Sequence, residues 1–200
     1  LHTHNITAVV TVADDGGSSG ILRSDLGMLA PGDVRNCVSA LAEVDPVMGE
    51  LLNFRFKDGS LKGHSLGNLF LAALNETSSS FDEAVKKFSH LTGVVGTVYP
   101  VTNESVTLSA LLEDGRLIEG ESHIGVHHDG PKNGIVKLMV NPEKPKAVDG
   151  VIKALEKADI IVLGPGSLYT SIIPNLLVDG VVDAIKKSNA VKIYVCNIMS

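Results

Sequence analysis

The chain alternates between short apolar runs and stretches in which apolar residues recur with the period of a helix. Residues 6–12 form a β-branched run that predicts a buried strand. Near the end, residues 159–163 predict a strand, residues 168–187 a helix that breaks near Pro174, and residues 191–196 another strand. Strand–helix–strand units of this length are normally right-handed with parallel strands. Further helical patterns lie at residues 34–42, 69–74, 81–91 and 148–157.

The middle of the chain has a different pattern, with four strand-like segments in close succession. Asp114-Gly115 between two of them is a typical hairpin turn. The four segments are residues 94–99, 105–112, 116–121 and 135–140. We therefore predict an α/β fold with a mostly parallel sheet and an antiparallel hairpin excursion in the middle of the chain.

Composition narrows the class of protein. The sequence has 200 residues, of which 44% are hydrophobic and only 4% aromatic, with no Trp. The core must then consist mainly of Val, Leu, Ile and Ala, which suits buried parallel strands. The formal net charge of −6 argues against a nucleic-acid partner, because nucleic-acid-binding proteins usually carry a basic face.

Several features indicate a cytoplasmic protein. No apolar run approaches the roughly 20 residues that span a bilayer, and no secretory signal is visible. Cys37 and Cys196 each lie in an apolar run, which predicts free buried thiols. Leu1 is not an initiator Met, and the last predicted strand stops close to Ser200. We expect residues 1–200 to form a single domain that lacks segments at both ends. We also expect the protein to be a homo-oligomer.

Two Gly-rich loops, residues 14–20 and 164–171, each follow a predicted strand. In a parallel α/β sheet, ligands bind beyond the carboxyl ends of the strands. Glycines allow close approach to the backbone, and a following helix N-terminus favours phosphate. Ser167, Thr170 and Ser171 add hydroxyl groups. The alternative is a plain tight turn, since neither loop matches a dinucleotide-binding or P-loop motif.

Charged residues near the first loop have more than one interpretation. Asp14 and Asp15 could bind Mg²⁺ through water, accept a ribose hydroxyl, or act as cap and turn residues. Arg23 and Arg35 are candidate phosphate partners, with surface salt bridges as the alternative. Asp33 is a candidate N-cap for the helix that follows it.

The segment Gly63-His64-Ser65-Leu66-Gly67 matches the nucleophile elbow of α/β hydrolases. A strand should run into that motif, but the residues before it are polar. His64 and Asn68, one helical turn apart, more simply both face a ligand. His123, His127 or His128 would complete a hydrolase triad with Ser65. The same histidines with Asp129 could form a metal site, although a solvated loop is favoured.

Four motifs together resemble the YvcK-like family of bacterial gluconeogenesis factors, which is related to CofD, the 2-phospho-L-lactate transferase. The resemblance extends along the whole chain, in the right order. The motifs are Thr11-Val12-Ala13-Asp14-Asp15-Gly16-Gly17-Ser18-Ser19-Gly20, Pro31-Gly32-Asp33-Val34-Arg35-Asn36, Gly63-His64-Ser65-Leu66-Gly67-Asn68-Leu69 and Gly164-Pro165-Gly166-Ser167-Leu168-Tyr169-Thr170-Ser171.

The resemblance implies a Rossmann-like, three-layer fold and a cytoplasmic protein needed for cell shape and for growth on gluconeogenic carbon sources. It implies binding of UDP-sugars such as UDP-N-acetylglucosamine, or of dinucleotides. No reaction is attached to the YvcK-like branch. The CofD branch transfers a phospholactyl group from a nucleotide-activated donor, so a transferase of that type is the alternative.

The resemblance also implies site residues. The Asp pair that CofD uses for acceptor and metal binding falls near Asp14 and Asp15, with Mg²⁺ as the metal. A nucleotide-sugar-binding Asn falls on Asn175, and Asn197 ends the last strand. Ile21 stands where the family usually has Arg, which leaves Arg23. Two family segments, a Gly-Gly-Gly-Thr-Gly loop and a Thr-Gln-Pro-Gly-Glu-like stretch, are absent.

The complete set of candidate ligand-binding residues combines the loops, the charged residues and the family positions. It is Asp14, Asp15, Gly16, Gly17, Ser18, Ser19, Arg23, Asp33, Asn36, His64, Asn68, Gly164, Gly166, Ser167, Tyr169, Thr170, Asn175 and Asn197.

Overall fold

The computed structural model describes residues 3–125 and 133–197. Its first half is one strand followed by five helices. The strand is β1 (Thr7–Val10), and the helices are α1 (Gly17–Leu26), α2 (Gly32–Leu41), α3 (Pro46–Asn53), α4 (Leu66–Glu76) and α5 (Phe81–Leu91). The bounds of α5 agree with the helical pattern, and its apolar face, with Phe81 and Phe88, is buried.

The middle of the chain forms an antiparallel sheet from three of the four predicted segments, whereas the strand near the first segment, residues 94–99, pairs in parallel with β1. The members of the antiparallel sheet are β3 (Thr107–Leu112), β4 (Leu117–Glu119) and β5 (Ile135–Asn141), in the order β4-β3-β5. β3 and β4 pair in antiparallel register on either side of Asp114-Gly115, which confirms the hairpin. Between β4 and β5 lies a short helix, α6 (Glu121–Gly125).

The parallel strands form two separate pairs. β1 pairs with β2 (Thr97–Pro100), and β6 (Ile160–Leu163) pairs with β7 (Val191–Tyr194). Both pairs are parallel, so the predicted α/β class and the strand–helix–strand unit at the end are confirmed.

The segment between β6 and β7 is helical but differs from the prediction in one detail. It contains a single π-helical turn (Leu168–Ile172), α8 (Ile173–Leu176) and α9 (Val181–Lys187), and α7 (Asp149–Lys157) precedes β6. The predicted break near Pro174 is present, but it follows the proline by a few residues. Pro174 lies in the first turn of α8, where its missing N–H group leaves no helical hydrogen bond unmade, and the chain leaves the helix between α8 and α9.

The core is aliphatic, as the composition predicts. The larger cluster combines α2, α4 and α5 with β1, β2 and β3, and Phe81 and Phe88 are its aromatic members. A smaller cluster is centred on Val101, Val151, Val178 and Val181. By contrast, β6 and β7 expose apolar side chains, including Ile160 at 57% and Val191 at 62%.

The cysteine prediction is correct for one residue and wrong for the other. Both thiols are free, but Cys37 is half-buried and Cys196 is exposed, as are the residues of β7 before it. Desolvation raises the pKa of the Cys37 thiol, and the nearby Asp33 carboxylate raises it further. Within residues 3–125 and 133–197, no helix combines the length and the apolar character needed to cross a bilayer.

Candidate functional site

The N-termini of α1 and α2 meet beyond the end of β1. The N–H of Gly16 donates to Asp14 Oδ1 (2.9 Å), and the N–H of Gly32 donates to Ser19 Oγ (3.2 Å). A Cβ atom at position 32 would lie 2.6 Å from Ser19 Oγ and 2.9 Å from Asp14 Oδ2, so this approach requires glycine. The first N–H groups of a helix have no partner inside the helix, and two converging N-termini favour a negatively charged ligand.

A polar cavity of about 180 Å³ opens at this junction. Its wall contains eight of the predicted ligand-binding residues together with Gly32, Arg35 and Arg55. The predicted ones are Asp14, Gly16, Gly17, Ser18, Ser19, Asp33, Asn36 and Asn68. We call this space the helix-junction cavity. Sequence reasoning missed Arg55, because a lone Arg between two Phe residues carries no signal of a site.

Behind the cavity wall lies a chain of side-chain hydrogen bonds. Ser18 Oγ lies 2.9 Å from His64 Nδ1 and accepts from Asn68 Nδ2 (3.1 Å). Arg35 Nε donates to Asn68 Oδ1 (3.3 Å), and Arg35 Nη1 donates to Asn53 Oδ1 (2.8 Å). We call these five residues the Arg35 network. All except Asn53 are buried, so the network holds one wall of the cavity rigid.

The sequence predicts that His64 and Asn68 face a common ligand. In the structure both instead contact the Ser18 hydroxyl of α1. Ser65, between them, is the N-cap of α4 and accepts a hydrogen bond from the Asn68 N–H. Ser65 is 0% exposed, which leaves its hydroxyl without access for a substrate. The hydrolase interpretation based on Ser65 is therefore wrong, since the segment is a helix start and not a nucleophile elbow.

The two adjacent aspartates separate. Asp14 borders the helix-junction cavity, whereas Asp15 Oδ1 accepts from the N–H of Ser122 in α6 (2.9 Å). The carboxylate that faces the cavity beside Asp14 is Asp33. Burial raises the pKa of Asp33, Asp14 raises it further, and Arg35 lowers it. The prediction that Asp33 is the N-cap of α2 is wrong, because Pro31 occupies that position.

Arg23 donates hydrogen bonds to backbone carbonyl oxygens and does not border the cavity. Its guanidinium donates to the carbonyl oxygens of Asp14 (3.0 Å), Val106 (2.9 Å) and Ala13 (3.3 Å), and to the hydroxyl oxygen of Ser105 (3.4 Å). These bonds tie α1 to the segments that follow β1 and precede β3. The cavity cations are Arg35 and Arg55, and the assignment of Arg23 as a phosphate partner stays a prediction outside this cavity.

Helix α6 links the first Gly-rich loop to the second. The Thr170 hydroxyl donates to the Glu121 carboxylate, while the α6 N–H of Ser122 binds Asp15. Burial raises the pKa of Glu121, and the charges of Asp14, Asp15 and Asp33 raise it further; the Thr170 hydrogen bond opposes this shift. The hairpin prediction placed Glu121 in a strand and missed this helix.

The second loop is held mainly by its own bonds. Ser167 Oγ accepts from the Thr170 N–H (3.4 Å), and Ser167 O accepts from the Ile172 N–H (3.0 Å), which closes the π-helical turn. Isolated π-helical turns are frequent at functional sites. Gly164 and Gly166 form the bend before this turn, and Tyr169 packs against the large core cluster.

Asn175 and Asn197, which follow the second loop in the sequence, donate hydrogen bonds to its backbone. Asn175 Nδ2 donates to Ser171 O (2.8 Å), and Asn197 Nδ2 donates to Gly166 O (2.8 Å). Asn175 Oδ1 is buried and accepts no hydrogen bond from the described residues. Neither Asn borders the helix-junction cavity.

The whole chain, residues 1–200, matches the family model described as 2-phospho-L-lactate transferase CofD. The chain belongs to the CofD family.

Relatives within the CofD family carry a more specific name. A protein of Thermoanaerobacterium thermosulfurigenes named "Putative gluconeogenesis factor" is 56% identical over 199 residues, which is 100% of this chain and 62% of the relative. The "Gluconeogenesis factor" of Bacillus subtilis is 46% identical over 98% of this chain and 61% of its own length. This chain thus spans about three fifths of each relative.

The fold is also that of a solved relative. A crystal structure from Bacillus halodurans, described as a member of the UPF0052 family, is 47% identical and superposes with a TM-score of 0.91. The superposition covers 96% of this chain and 61% of that one.

Of the histidines considered for a metal site, His123 is the one that lies within the described residues. His123 lies in α6 and its Nδ1 contacts Glu119 O (2.8 Å), so it is helical and not in a loop. His127, His128 and Asp129 lie outside the described residues. Within residues 3–125 and 133–197 there is no group of three His, Cys, Asp or Glu side chains that could hold a metal ion. Mg²⁺ stays a prediction, and the carboxylates that fit it at the cavity are Asp14 and Asp33.

Proposed function

We propose that the chain belongs to a nucleotide-sugar-binding regulatory protein, with a UDP-sugar such as UDP-N-acetylglucosamine as its ligand. The helix-junction cavity carries this proposal. It combines two helix N-termini with the guanidinium groups of Arg35 and Arg55, and this combination binds phosphate groups in many proteins.

The charge balance of the cavity supports a bound phosphate with hydroxyl groups beside it. Arg35 is 7% exposed and shares the wall with Arg55, and burial and the Arg55 charge lower the Arg35 pKa. Two cations held together in a partly buried site stabilise a bound anion. The cavity also has the carboxylates of Asp14 and Asp33, which carry the charge opposite to that of the arginines. These carboxylates are suitable acceptors for hydrogen bonds from sugar or ribose hydroxyl groups.

The names of the relatives support a role in growth on gluconeogenic carbon sources. We further propose that the protein acts in the cytoplasm and that its ligand couples carbon supply to cell shape. A strain that lacks the protein should then lose growth on such carbon sources, and the variant Arg55→Gln should restore growth less well than the wild type.

Calorimetric titration with UDP-N-acetylglucosamine tests the binding. Arg55→Gln should weaken binding by about 10- to 100-fold, because one charge-assisted hydrogen bond is lost. Lys57→Gln is the matched control, since Lys57 is an exposed cation of the same segment that does not border the cavity. No heat and no thermal shift at millimolar ligand would refute the proposal.

The CofD match and the cavity pair Asp14 and Asp33 favour a second candidate, a CofD-type transferase. In that case a deazaflavin acceptor and a nucleotide-activated phospholactate should yield product in the presence of Mg²⁺. Absence of product while UDP-N-acetylglucosamine binds would leave the regulatory function as the better proposal.

A further inference from the structure

Ser18 and His64 form a hydroxyl–imidazole pair that ligand binding alone does not require. The atoms Ser18 Oγ and His64 Nδ1 are 2.9 Å apart, although the two residues are 46 positions apart in sequence. Ser18 is 6% exposed and His64 is 7% exposed. A hydroxyl at this distance from an imidazole nitrogen has the geometry of a base-activated nucleophile.

The neighbouring hydrogen bonds orient the pair. Arg35 Nε can only donate, so the side-chain atom of Asn68 that faces it is Oδ1, and Asn68 Nδ2 is left to donate to Ser18 Oγ. Ser18 therefore accepts one hydrogen bond, and its own hydrogen is available for His64 Nδ1. The bond from Asn68 would also stabilise negative charge that develops on Ser18 Oγ.

The candidate nucleophile, Ser18, is accessible from the cavity, whereas the candidate base, His64, is not. Ser18 and Asn68 border the helix-junction cavity, whereas His64 does not. Ser18 is the second residue of α1, where the unpaired N–H groups of the first turn stabilise anionic oxygens beside the hydroxyl. Together with Arg35 and Arg55 on the same wall, these groups match a phosphoryl group better than a neutral ester or amide.

We propose that Ser18 is a catalytic nucleophile that attacks the phosphorus of a phosphate ester or anhydride, with His64 as its general base. In this step the bond from Ser18 Oγ to phosphorus forms, and the bond from phosphorus to the leaving oxygen breaks. The Ser18 hydroxyl proton passes to His64 Nδ1 and then to the leaving oxygen. Water then attacks the phosphorus of the phosphoseryl ester while His64 accepts a proton from it. The bond from phosphorus to Ser18 Oγ breaks, the phosphate group leaves, and His64 returns the proton to Ser18 Oγ.

The test uses diisopropyl fluorophosphate, which phosphorylates activated serines with release of fluoride. Intact-mass measurement and peptide mapping should show one adduct, at Ser18. His64→Ala should reduce the labelling rate by at least 100-fold, the usual size of a general-base contribution, and added imidazole should restore part of it. Ser24→Ala is the control, because Ser24 is an exposed hydroxyl on the same helix and should not change the rate.

The outcomes separate catalysis from a structural hydrogen bond. A structural bond would not give a single adduct at Ser18 or rescue by imidazole. If the folded wild-type protein is not labelled, or is labelled at another serine, or reacts at the same rate as a folded His64→Ala variant, the proposal is overturned. Binding of UDP-N-acetylglucosamine without labelling would refute the nucleophile and leave the proposed binding function intact. Labelling without such binding would do the reverse.

Discussion

The two Gly-rich loops look alike in sequence but are held in place by different means. The first loop is fixed through the Arg35 network, whose bonds join residues 18 to 50 positions apart. The second loop is fixed mainly by bonds to residues three to five positions away, with the bonds to Asn197 and Glu121 as distant exceptions. The geometry of the first loop therefore depends on the packing of α1, α2 and α4, whereas that of the second is largely local.

The largest expected effect comes from Asn68→Ala. It removes the partner of Arg35 Nε and the donor to Ser18 Oγ in a buried site, so we expect a loss of about 3 kcal/mol in the free energy of unfolding. Urea denaturation measures it. The matching change in the second loop is Asn175→Ala, which removes one neutral hydrogen bond together with a buried unpaired oxygen, and should cost under about 1 kcal/mol. Equal losses for the two variants would contradict the comparison.

A second prediction concerns the close packing behind the first loop. A Cβ at Gly67 would lie 2.6 Å from Leu52 O and 2.9 Å from Arg35 Cδ. Gly67→Ala should therefore destabilise the protein by about 1–3 kcal/mol in thermal or urea unfolding. Gly49→Ala in α3 is the control, since its Cβ would meet nothing closer than 3.8 Å, and should stabilise by about 0.5–1 kcal/mol through helix propensity. If both variants behave alike, the close approach of α4 to α3 is not tight.

A third prediction addresses the contact between the loops. The pKa of Glu121 is raised in the folded protein, so the folded state binds more protons than the unfolded state above the ordinary value of 4.5. Stability is then lost as pH rises from that value through the raised pKa. Glu121→Gln removes the charge and can still accept from Thr170. Its Tm should rise by about 2 °C at pH 7 and change little at acid pH.

The control for this prediction is Glu119→Gln, because Glu119 is an exposed carboxylate at the end of β4, two residues before Glu121. Differential scanning calorimetry of both variants at several pH values checks the result. A lower Tm of Glu121→Gln at pH 7 would mean that the carboxylate charge stabilises α6.

The smallest effect is expected for Asn197→Ala. This exposed residue makes one hydrogen bond, to Gly166 O, so the loss should be within about 0.5 kcal/mol by urea denaturation. A larger loss would show that the second loop depends on distant contacts as the first one does, and would weaken the contrast between them.

Local patterns predicted the elements in which one strong signal dominates. Helix α5 and the strands β3 and β5 have long, regular apolar patterns, and Asp114-Gly115 marks the hairpin. The helices α1, α3 and α6 were not predicted. Helix α1 is rich in Gly and Ser, which carry weak helix propensity, and its position is set by Arg23 and Ser18 through contacts with distant segments.

The sequence by itself determined the α/β class, the motifs that resemble the family, and the polar residues gathered around the first loop. It could not decide which of those residues share a cavity. Of the two candidate phosphate partners, Arg35 borders the cavity and Arg23 does not, while Arg55 is the second cavity cation. Asp33 rather than Asp15 lies beside Asp14. The physical reason is that a side chain's direction depends on how helices from distant parts of the chain pack, and no local pattern records that packing.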